Sequence, residues 1–233
     1  MRPSRQLPRL LVALAGALSL GPVAAVAQEP SPHHHQHHKP KRFKDAAQWA
    51  KQFEAAERDR WQKPDAVIAA LALRPEHRVA DIGSATGYFT VRLARAVPRG
   101  KVWGVDIEPD MVRYLNARAA REKLANLSSI RGDAADPRLP EKVDLVFICN
   151  TYHHIERRTD YFARVAARLR PGGRLAVVDF KRGKLPVGPP ERERIAPAQL
   201  ERELVAAGYE RVRLDERTLP YQYIAIYRLR RRE

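Results

Sequence analysis

Cysteine is almost missing from this chain: Cys149 is the only one in 233 residues, so no intramolecular disulfide can form. Methionine occurs twice and aromatic residues make up 7% of the sequence. Acid is also short, with 27 Asp and Glu against 43 Lys and Arg, a formal charge of +16. The excess is arginine spread along the chain, which favours contact with anionic surfaces without choosing among lipid headgroups, nucleic acid and acidic small molecules. An arginine-rich protein with solvated helix faces explains it equally well. Apolar residues, at 44%, are ordinary for a globular protein and argue against global disorder.

Long apolar runs are absent except at the start. Arg2, Arg5 and Arg9 precede the run Leu10 to Ala27, which closes on Ala25-Val26-Ala27. A basic beginning, an apolar middle and an Ala-x-Ala end are the parts of a secretory signal peptide, so residues 1–27 are expected to direct export. Gly16, Gly21 and Pro22 weaken the run as a lasting membrane helix, although an uncleaved inner-membrane anchor is the other reading. No cysteine follows it to carry a lipid. The expected location is periplasmic or otherwise exported. Residues 28–42 read as a disordered leader, with Pro30, Pro32 and five histidines between His33 and His38. These imidazoles suit weak divalent metal binding, but without neighbouring carboxylates they define no coordination geometry.

From residue 43 to 233 the pattern becomes that of one folded domain. Phe43, Ala46, Ala50, Phe53 and Ala56 recur at helical spacing and predict a helix to about Arg60, followed by a short one over Asp65–Leu73. Strands are expected at Arg78–Ile82, Lys101–Asp106, Leu127–Arg131, Val143–Cys149, Arg174–Phe180, Tyr209–Leu214 and Gln222–Leu229. Helices are expected between most of them, at Thr86–Ala96, Pro109–Lys123, Thr159–Leu169 and Pro197–Ala207. Strands with helical crossovers imply an α/β fold, doubly wound and mostly parallel, with helices on both faces. No helix separates the final two strands, so the last of the seven is expected to run antiparallel to its neighbour.

Ligands of such sheets bind beyond the carboxyl ends of the strands. The first strand runs into Asp81-Ile82-Gly83-Ser84-Ala85-Thr86-Gly87. Gly83 and Gly87 permit a tight turn and close approach. Ala85 breaks the Gly-x-Gly-x-x-Gly pattern of a dinucleotide site. The carboxylate of Asp81 suits a ligand with an ammonium group better than one with two phosphates. Asp106, ending the second strand, can accept hydrogen bonds from both hydroxyls of a ribose. After the third strand comes Gly132-Asp133-Ala134, where Asp133 can meet an adenine amino group while Ile107 covers the ring. One such aspartate is ordinarily a loop or cap residue. Three at successive strand ends point to a nucleoside.

The run Val79 to Phe89 resembles the first motif of class I S-adenosylmethionine (SAM)-dependent methyltransferases, a Rossmann-like family. Asp106, Asp133 and Leu169-Arg170-Pro171-Gly172-Gly173-Arg174-Leu175 fall where its later motifs lie, and the likeness covers about Trp61 to Arg228. Trp61-Gln62-Lys63-Pro64 and Gly188-Pro189-Pro190 resemble a group of small bacterial methyltransferase-domain proteins, many with signal sequences. The resemblance implies SAM as cofactor, held by Asp81, Gly83, Ser84, Gly87, Asp106, Ile107, Asp133, Ala134 and Asn150. Ser84 departs from the Gly or Ala common there. Methyl transfer by direct displacement needs alignment and exclusion of water rather than a catalytic metal.

The acceptor, a small molecule, is expected near Asn150-Thr151-Tyr152-His153-His154, with Asp179 and Phe180 on the same rim. His153 or His154 is the candidate general base; a helix cap or packing beneath the cofactor is the plainer role. Tyr88 is placed to contact the cofactor carboxylate, the acceptor or the core. No Asn-Pro-Pro-Tyr follows the fourth strand, which disfavours base or glutamine N-methylation. Residues 182–196 are expected to form a lid or a surface loop. Arg228, Arg230, Arg231 and Arg232 form a basic tail, solvated or adhering to anionic membrane. With an export signal and no added RNA-binding module, nucleic acid is the poorest partner. The competing function is a non-catalytic SAM-fold binding protein at an anionic membrane surface, or one that binds metal through its leader.

Overall fold

The structure, a computed structural model, describes residues 45–230. The export segment 1–27, the leader 28–42 with its histidines, and Arg231 and Arg232 lie outside the described residues. Three helices come first: α1 (Ala46–Phe53), α2 (Ala56–Gln62) and α3 (Pro64–Ala70). The alternating region follows, as β1 (Arg78–Ile82), α4 (Thr90–Ala96), β2 (Lys101–Asp106), α5 (Pro109–Arg121), β3 (Leu127–Arg131) and β4 (Val143–Cys149). It is completed by α6 (Arg158–Ala167), β5 (Leu169–Phe180), α7 (Pro197–Ala206), β6 (Tyr209–Asp215) and β7 (Gln222–Leu229).

The seven strands form one sheet in the order β3-β2-β1-β4-β5-β7-β6. The first five in sequence pair in parallel, and β7 is antiparallel to both β5 and β6. The expected α/β architecture is therefore observed. Strand order reverses between β1 and β4, and sheets of this kind bind ligands beyond the carboxyl ends of the strands at such a reversal. Side-chain alternation decides which helix layer each strand residue meets. Leu145, Phe147 and Cys149 pack with Leu71, Leu93 and Leu115 from α3–α5. Val146 and Ile148 pack on the other face with Phe162, Val165, Leu200 and Leu204 from α6 and α7. Both faces are covered, which is why β4 is nearly continuous apolar sequence.

Most boundaries move by three residues or fewer, and three departures are larger. The first helix does not run to Arg60 but breaks at Glu54-Ala55. Ala56 is exposed rather than on the apolar stripe, and Arg58 Nη1 caps the carbonyl of Phe53 at 2.6 Å. Helix α4 begins at Thr90 instead of Thr86, because Ala85 and Gly87 hold positive φ (45° and 97°) that a helix cannot contain. Strand β5 starts at Leu169, not Arg174: Leu169 pairs with Val143, then the register shifts so that Arg174 pairs with Leu145. Pro171-Gly172-Gly173 thus lies within a bulged strand.

Candidate functional site

The turn after β1 is stitched to the end of β2. The amides of Gly83 and Ser84 both donate to the carbonyl of Val105 (2.8 and 3.1 Å), and that of Ala85 donates to Asp106 Oδ2 at 2.9 Å. Gly83 has φ 76°, and a β-carbon there would enter the side chain of Thr151. Gly87 has φ 97°, and a β-carbon would strike Leu115 on α5. Both glycines are thus required by close packing as well as conformation. Ser84 is buried, with its hydroxyl under the turn facing Gly104. Its amide rather than its side chain shapes the turn.

Asp81, Asp106 and Asp133 follow one another across the adjacent ends of β1, β2 and β3. Asp81 is buried and accepts a 2.6 Å hydrogen bond from Thr90 Oγ1. Burial pushes its pKa up to about 7; Asp106 adds to the rise, while Thr90 and Arg58 oppose it. Asp106 spans two amides, with Oδ2 on Ala85 and Oδ1 on Glu108 at 3.0 Å, and burial raises its pKa also. Next to it Ile107 is 48% exposed, an apolar side chain open to solvent at the end of β2. Asp133 Oδ1 caps the amides of Ala135 and Asp136 (2.8 and 2.9 Å), and Oδ2 pairs with Arg138 at 2.6 Å. Those amide hydrogen bonds lower its pKa. Ala134 is exposed beside it.

Asn150 has φ 55° and accepts a hydrogen bond from Gln222 Nε2. Gln222 in turn accepts from Gln62 Nε2 at 2.5 Å, and that nitrogen also lies 3.2 Å from Cys149 Sγ. This buried chain of amides joins α2, β4 and β7. Burial drives the Cys149 thiol well above its usual pKa, which fits packing rather than reactivity.

His153 and His154 lie in a 3₁₀ turn, Tyr152–His154, directly after the β4 end. His153 Nδ1 is 3.0 Å from both carboxylate oxygens of Asp179, and both side chains are buried. Asp179 Oδ1 also accepts from the amide of Phe180 at 2.8 Å. A carboxylate at this place favours the tautomer with the proton on Nδ1, which leaves Nε2, the other ring nitrogen, as an acceptor site. Tyr152 fixes the turn from behind: its hydroxyl donates to Glu203 at 2.8 Å, and Arg158 grips the same carboxylate at 2.7 and 2.9 Å. The His154 ring stands 4.2 Å from that of His153.

Helix α2 covers the other side of the turn. The Arg58 guanidinium lies 3.8 Å from the Tyr88 ring centre and that of Arg92 lies at 4.2 Å. The Tyr88 hydroxyl donates to Asp59, and burial together with this bond raises its pKa, so Tyr88 serves docking of α2 onto the turn. Trp61 tilts against Phe180 and Tyr221, with ring centres 5.8 and 6.4 Å apart. The 182–196 loop is pinned rather than free. Arg194 is buried and donates to the carbonyls of Pro189 (2.8 Å) and Gly183 (2.6 Å), and Gly188 lies against the Phe180 ring. Arg58, Gln222 and the amide role of Gln62 went unread in the sequence. The Trp61-Gln62-Lys63-Pro64 run was the available signal for that segment.

The open sheet, the glycine turn and acids at successive strand ends have the arrangement of the class I SAM-dependent methyltransferase fold. Residues 79–173 match the family described as "Methyltransferase domain", so the chain carries such a domain at its centre. The chain is 32% identical over 166 residues to a malonyl-[acyl-carrier protein] O-methyltransferase of Methylococcus capsulatus, covering 66% of this chain and 60% of that protein. It is 33% identical over 132 residues to a trans-aconitate 2-methyltransferase of Rhodopseudomonas palustris, covering 56% and 50%. It therefore spans less than two thirds of either relative. A crystal structure of a SAM-dependent methyltransferase from Aquifex aeolicus superposes with a TM-score of 0.72 at 22% identity, covering 78% of this chain and 97% of that one. SAM is the cofactor of this class. The donor set here fits it, with a buried carboxylate at Asp81, an acid at Asp106 and the exposed Ile107 at the adjacent ends of β1 and β2. Among the described residues no group of three His, Cys, Asp or Glu is placed to hold a metal ion, and no helix is long and apolar enough to cross a membrane.

Proposed function

We propose that this protein transfers the methyl group of SAM to a small-molecule acceptor whose hydroxyl or amine is deprotonated by His153. The observation that carries this reading is the contact of His153 Nδ1 with Asp179 at the adjacent ends of β4 and β5. When bound, SAM supplies an electrophilic methyl on a positively charged sulfur. Asp106 and Ile107 bind the nucleoside, and Asp81 accepts the ammonium of its amino-acid end. Asp179 positions His153 and holds the proton at Nδ1, so that Nε2 accepts the acceptor's proton as the new bond forms. Trp61, Phe180 and Tyr221 provide an apolar rim that keeps water away from the acceptor. The malonyl and trans-aconitate relatives direct the first choice of acceptors toward organic acids that also carry a hydroxyl or amine, since a carboxylate is already ionised and needs no base.

A labelled-methyl assay with purified protein tests the proposal. Acceptor-dependent release of S-adenosylhomocysteine that is lost in His153→Gln is the expected result. SAM binding without turnover across a broad panel of acids, phenols and amines would overturn it. The start of the sequence supports action outside the cytoplasm, and we propose an exported location on that basis. Fractionation of cells expressing the native chain tests it, and recovery with cytoplasmic markers would refute it.

A further inference from the structure

A guanidinium can only donate hydrogen bonds, and this fixes the direction of a chain of three amides. Arg58 Nε lies 2.7 Å from the side chain of Gln62, so Gln62 must turn Oε1 toward it and Nε2 into the core. Gln62 Nε2 lies 2.5 Å from Gln222, which answers with Oε1 and is left with Nε2 facing Asn150. Asn150 must then present Oδ1 inward. An amide taken alone can face either way; here one donor orients all three. Gln62 and Gln222 are fully buried, so water offers them no second set of partners. The outer end of the chain is Asn150 Nδ2. It donates to none of the described residues, and it is not one of their buried polar atoms left without a partner, which are Ser84 Oγ, Thr86 Oγ1 and Ser129 Oγ. It is therefore open to a ligand. The backbone of Asn150 continues the β4–β5 pairing one step past Cys149, with its amide on the Val178 carbonyl at 3.0 Å. Its side chain reaches over β5 to Gln222 at the start of β7, away from the β1 and β2 ends that hold Asp81 and Asp106. That is the side of Asp179 with its partner His153, and of the Trp61, Phe180 and Tyr221 rings.

We propose that Asn150 is a specificity-determining residue that selects an oxygen nucleophile over a nitrogen one, with Gln62 and Gln222 as the positioning residues that hold it as a donor. This rests on the methyl-transfer reading above and narrows its acceptor to a hydroxyl compound. The reason is a count of lone pairs. A hydroxyl oxygen has two lone pairs and one proton. Its proton goes to His153 Nε2, one lone pair forms the bond to the methyl carbon, and the other accepts from Asn150 Nδ2. The methyl–sulfur bond breaks with its electron pair on sulfur, leaving a methyl ether, a protonated His153 and neutral S-adenosylhomocysteine. A neutral amine has a single lone pair, and methylation uses it. Asn150 Nδ2 then faces an N–H, two donors with no acceptor between them, at the cost of an unmade hydrogen bond.

Matched acceptors test this: para-hydroxybenzoate against para-aminobenzoate, and salicylate against anthranilate, at mildly alkaline pH where the amines are unprotonated. Calorimetry on the full chain saturated with S-adenosylhomocysteine measures the affinity for each, and labelled SAM measures the ratio of ether to N-methyl product. Wild type is expected to favour the hydroxyl member of a pair by about tenfold to a hundredfold. Asn150→Asp turns an oxygen toward the acceptor and should shift the preference to the amine. Gln222→Met cuts the chain and frees Asn150 to turn, so the preference should fall toward parity with SAM affinity unchanged. Thermal midpoints show whether each variant is folded, and Gln62→Leu cuts the chain one link further out should Gln222→Met fail to fold. Equal or greater affinity and yield for the amines in wild type, or an unchanged preference in a folded variant, would overturn the proposal. Binding of neither member of either pair would overturn it as well. SAM binding with no turnover of any acceptor would instead remove the methyl-transfer reading, and the preference with it.

Discussion

The side chain of Thr151 fills the space that a β-carbon on Gly83 would need. The hydroxyl of Thr151 is itself tied to the carbonyl of Cys149 at 3.1 Å, so it cannot move aside freely. The β1 turn and the β4 loop, which carry the two halves of the proposed site, are thus in contact. Gly83→Ala should combine a clash with a strained positive φ, at about 1–3 kcal/mol for the backbone conformation alone. Reduced denaturation midpoint and a SAM affinity weakened by tenfold or more are expected. Unchanged stability and affinity would show that the turn has slack.

Asp81 links the site to pH. Its folded pKa of about 7 lies above that of an exposed carboxylate, so the folded domain without ligand binds more protons than the unfolded chain between about pH 4 and 7. Its contribution to stability is full below pH 4, falls as pH rises toward 7, and is flat above. The loss has an upper slope of about 1.4 kcal/mol per pH unit. Asp81→Asn should remove this component from the pH profile of thermal unfolding. Cofactor binding should run the opposite way, tightening from pH 5 to pH 8 as the carboxylate ionises to meet an ammonium. Titrations in buffers of different ionisation enthalpy should then show proton release below pH 7.

Asp179→Asn keeps the shape of the His153 contact but lets the imidazole adopt either tautomer. Turnover should fall by about ten- to a hundredfold, with SAM affinity changed little, and His153→Gln should cost about 10²- to 10⁴-fold. A pH–rate profile that shifts in Asp179→Asn distinguishes positioning of the base from mere packing. Equal losses of SAM binding and rate would indicate packing.

Phe147 is fully buried on β4, with its ring 5.0 Å from that of Phe89 just before α4. Phe147→Ala should destabilise the domain by about 3–5 kcal/mol in chemical denaturation. Val212, which is exposed on β6, should tolerate Val212→Ala within about 0.5 kcal/mol.

The sheet was legible because β1, β2 and β4 are short runs rich in valine, isoleucine and other apolar residues, alternating with segments of helical periodicity. The acids at the ends of β1 and β2 were legible by position in that alternation. Less legible were features that depend on contacts across the chain. Periodicity continues through Phe53 and Ala56, yet the helix breaks there, and Arg58 reaches back to cap the Phe53 carbonyl. Arg58 is one arginine among many in a basic sequence, and only its stacking on Tyr88 and its neutral partners set it apart. Gln222 lies 160 residues from Gln62, and nothing local announces that the two amides meet. Asp179 was visible as a rim residue, whereas its bond to His153 needed the pairing of β4 with β5.

The place of β7 has a consequence for how the protein is made. This strand leaves the ribosome after β6 but lies inside the sheet, between β5 and β6. Until Leu229 has been synthesised, β5 presents an open edge and β6 has no strand to pair with. Synthesis order and spatial order are out of step at this one point, so the right-hand third of the sheet forms as a single late event rather than strand by strand. A nascent chain halted at residue 221 would display the open edge of β5 and an unpaired β6, an invitation to aggregation. Expression vectors for this protein should place any stop, cleavage site or fusion junction beyond Leu229.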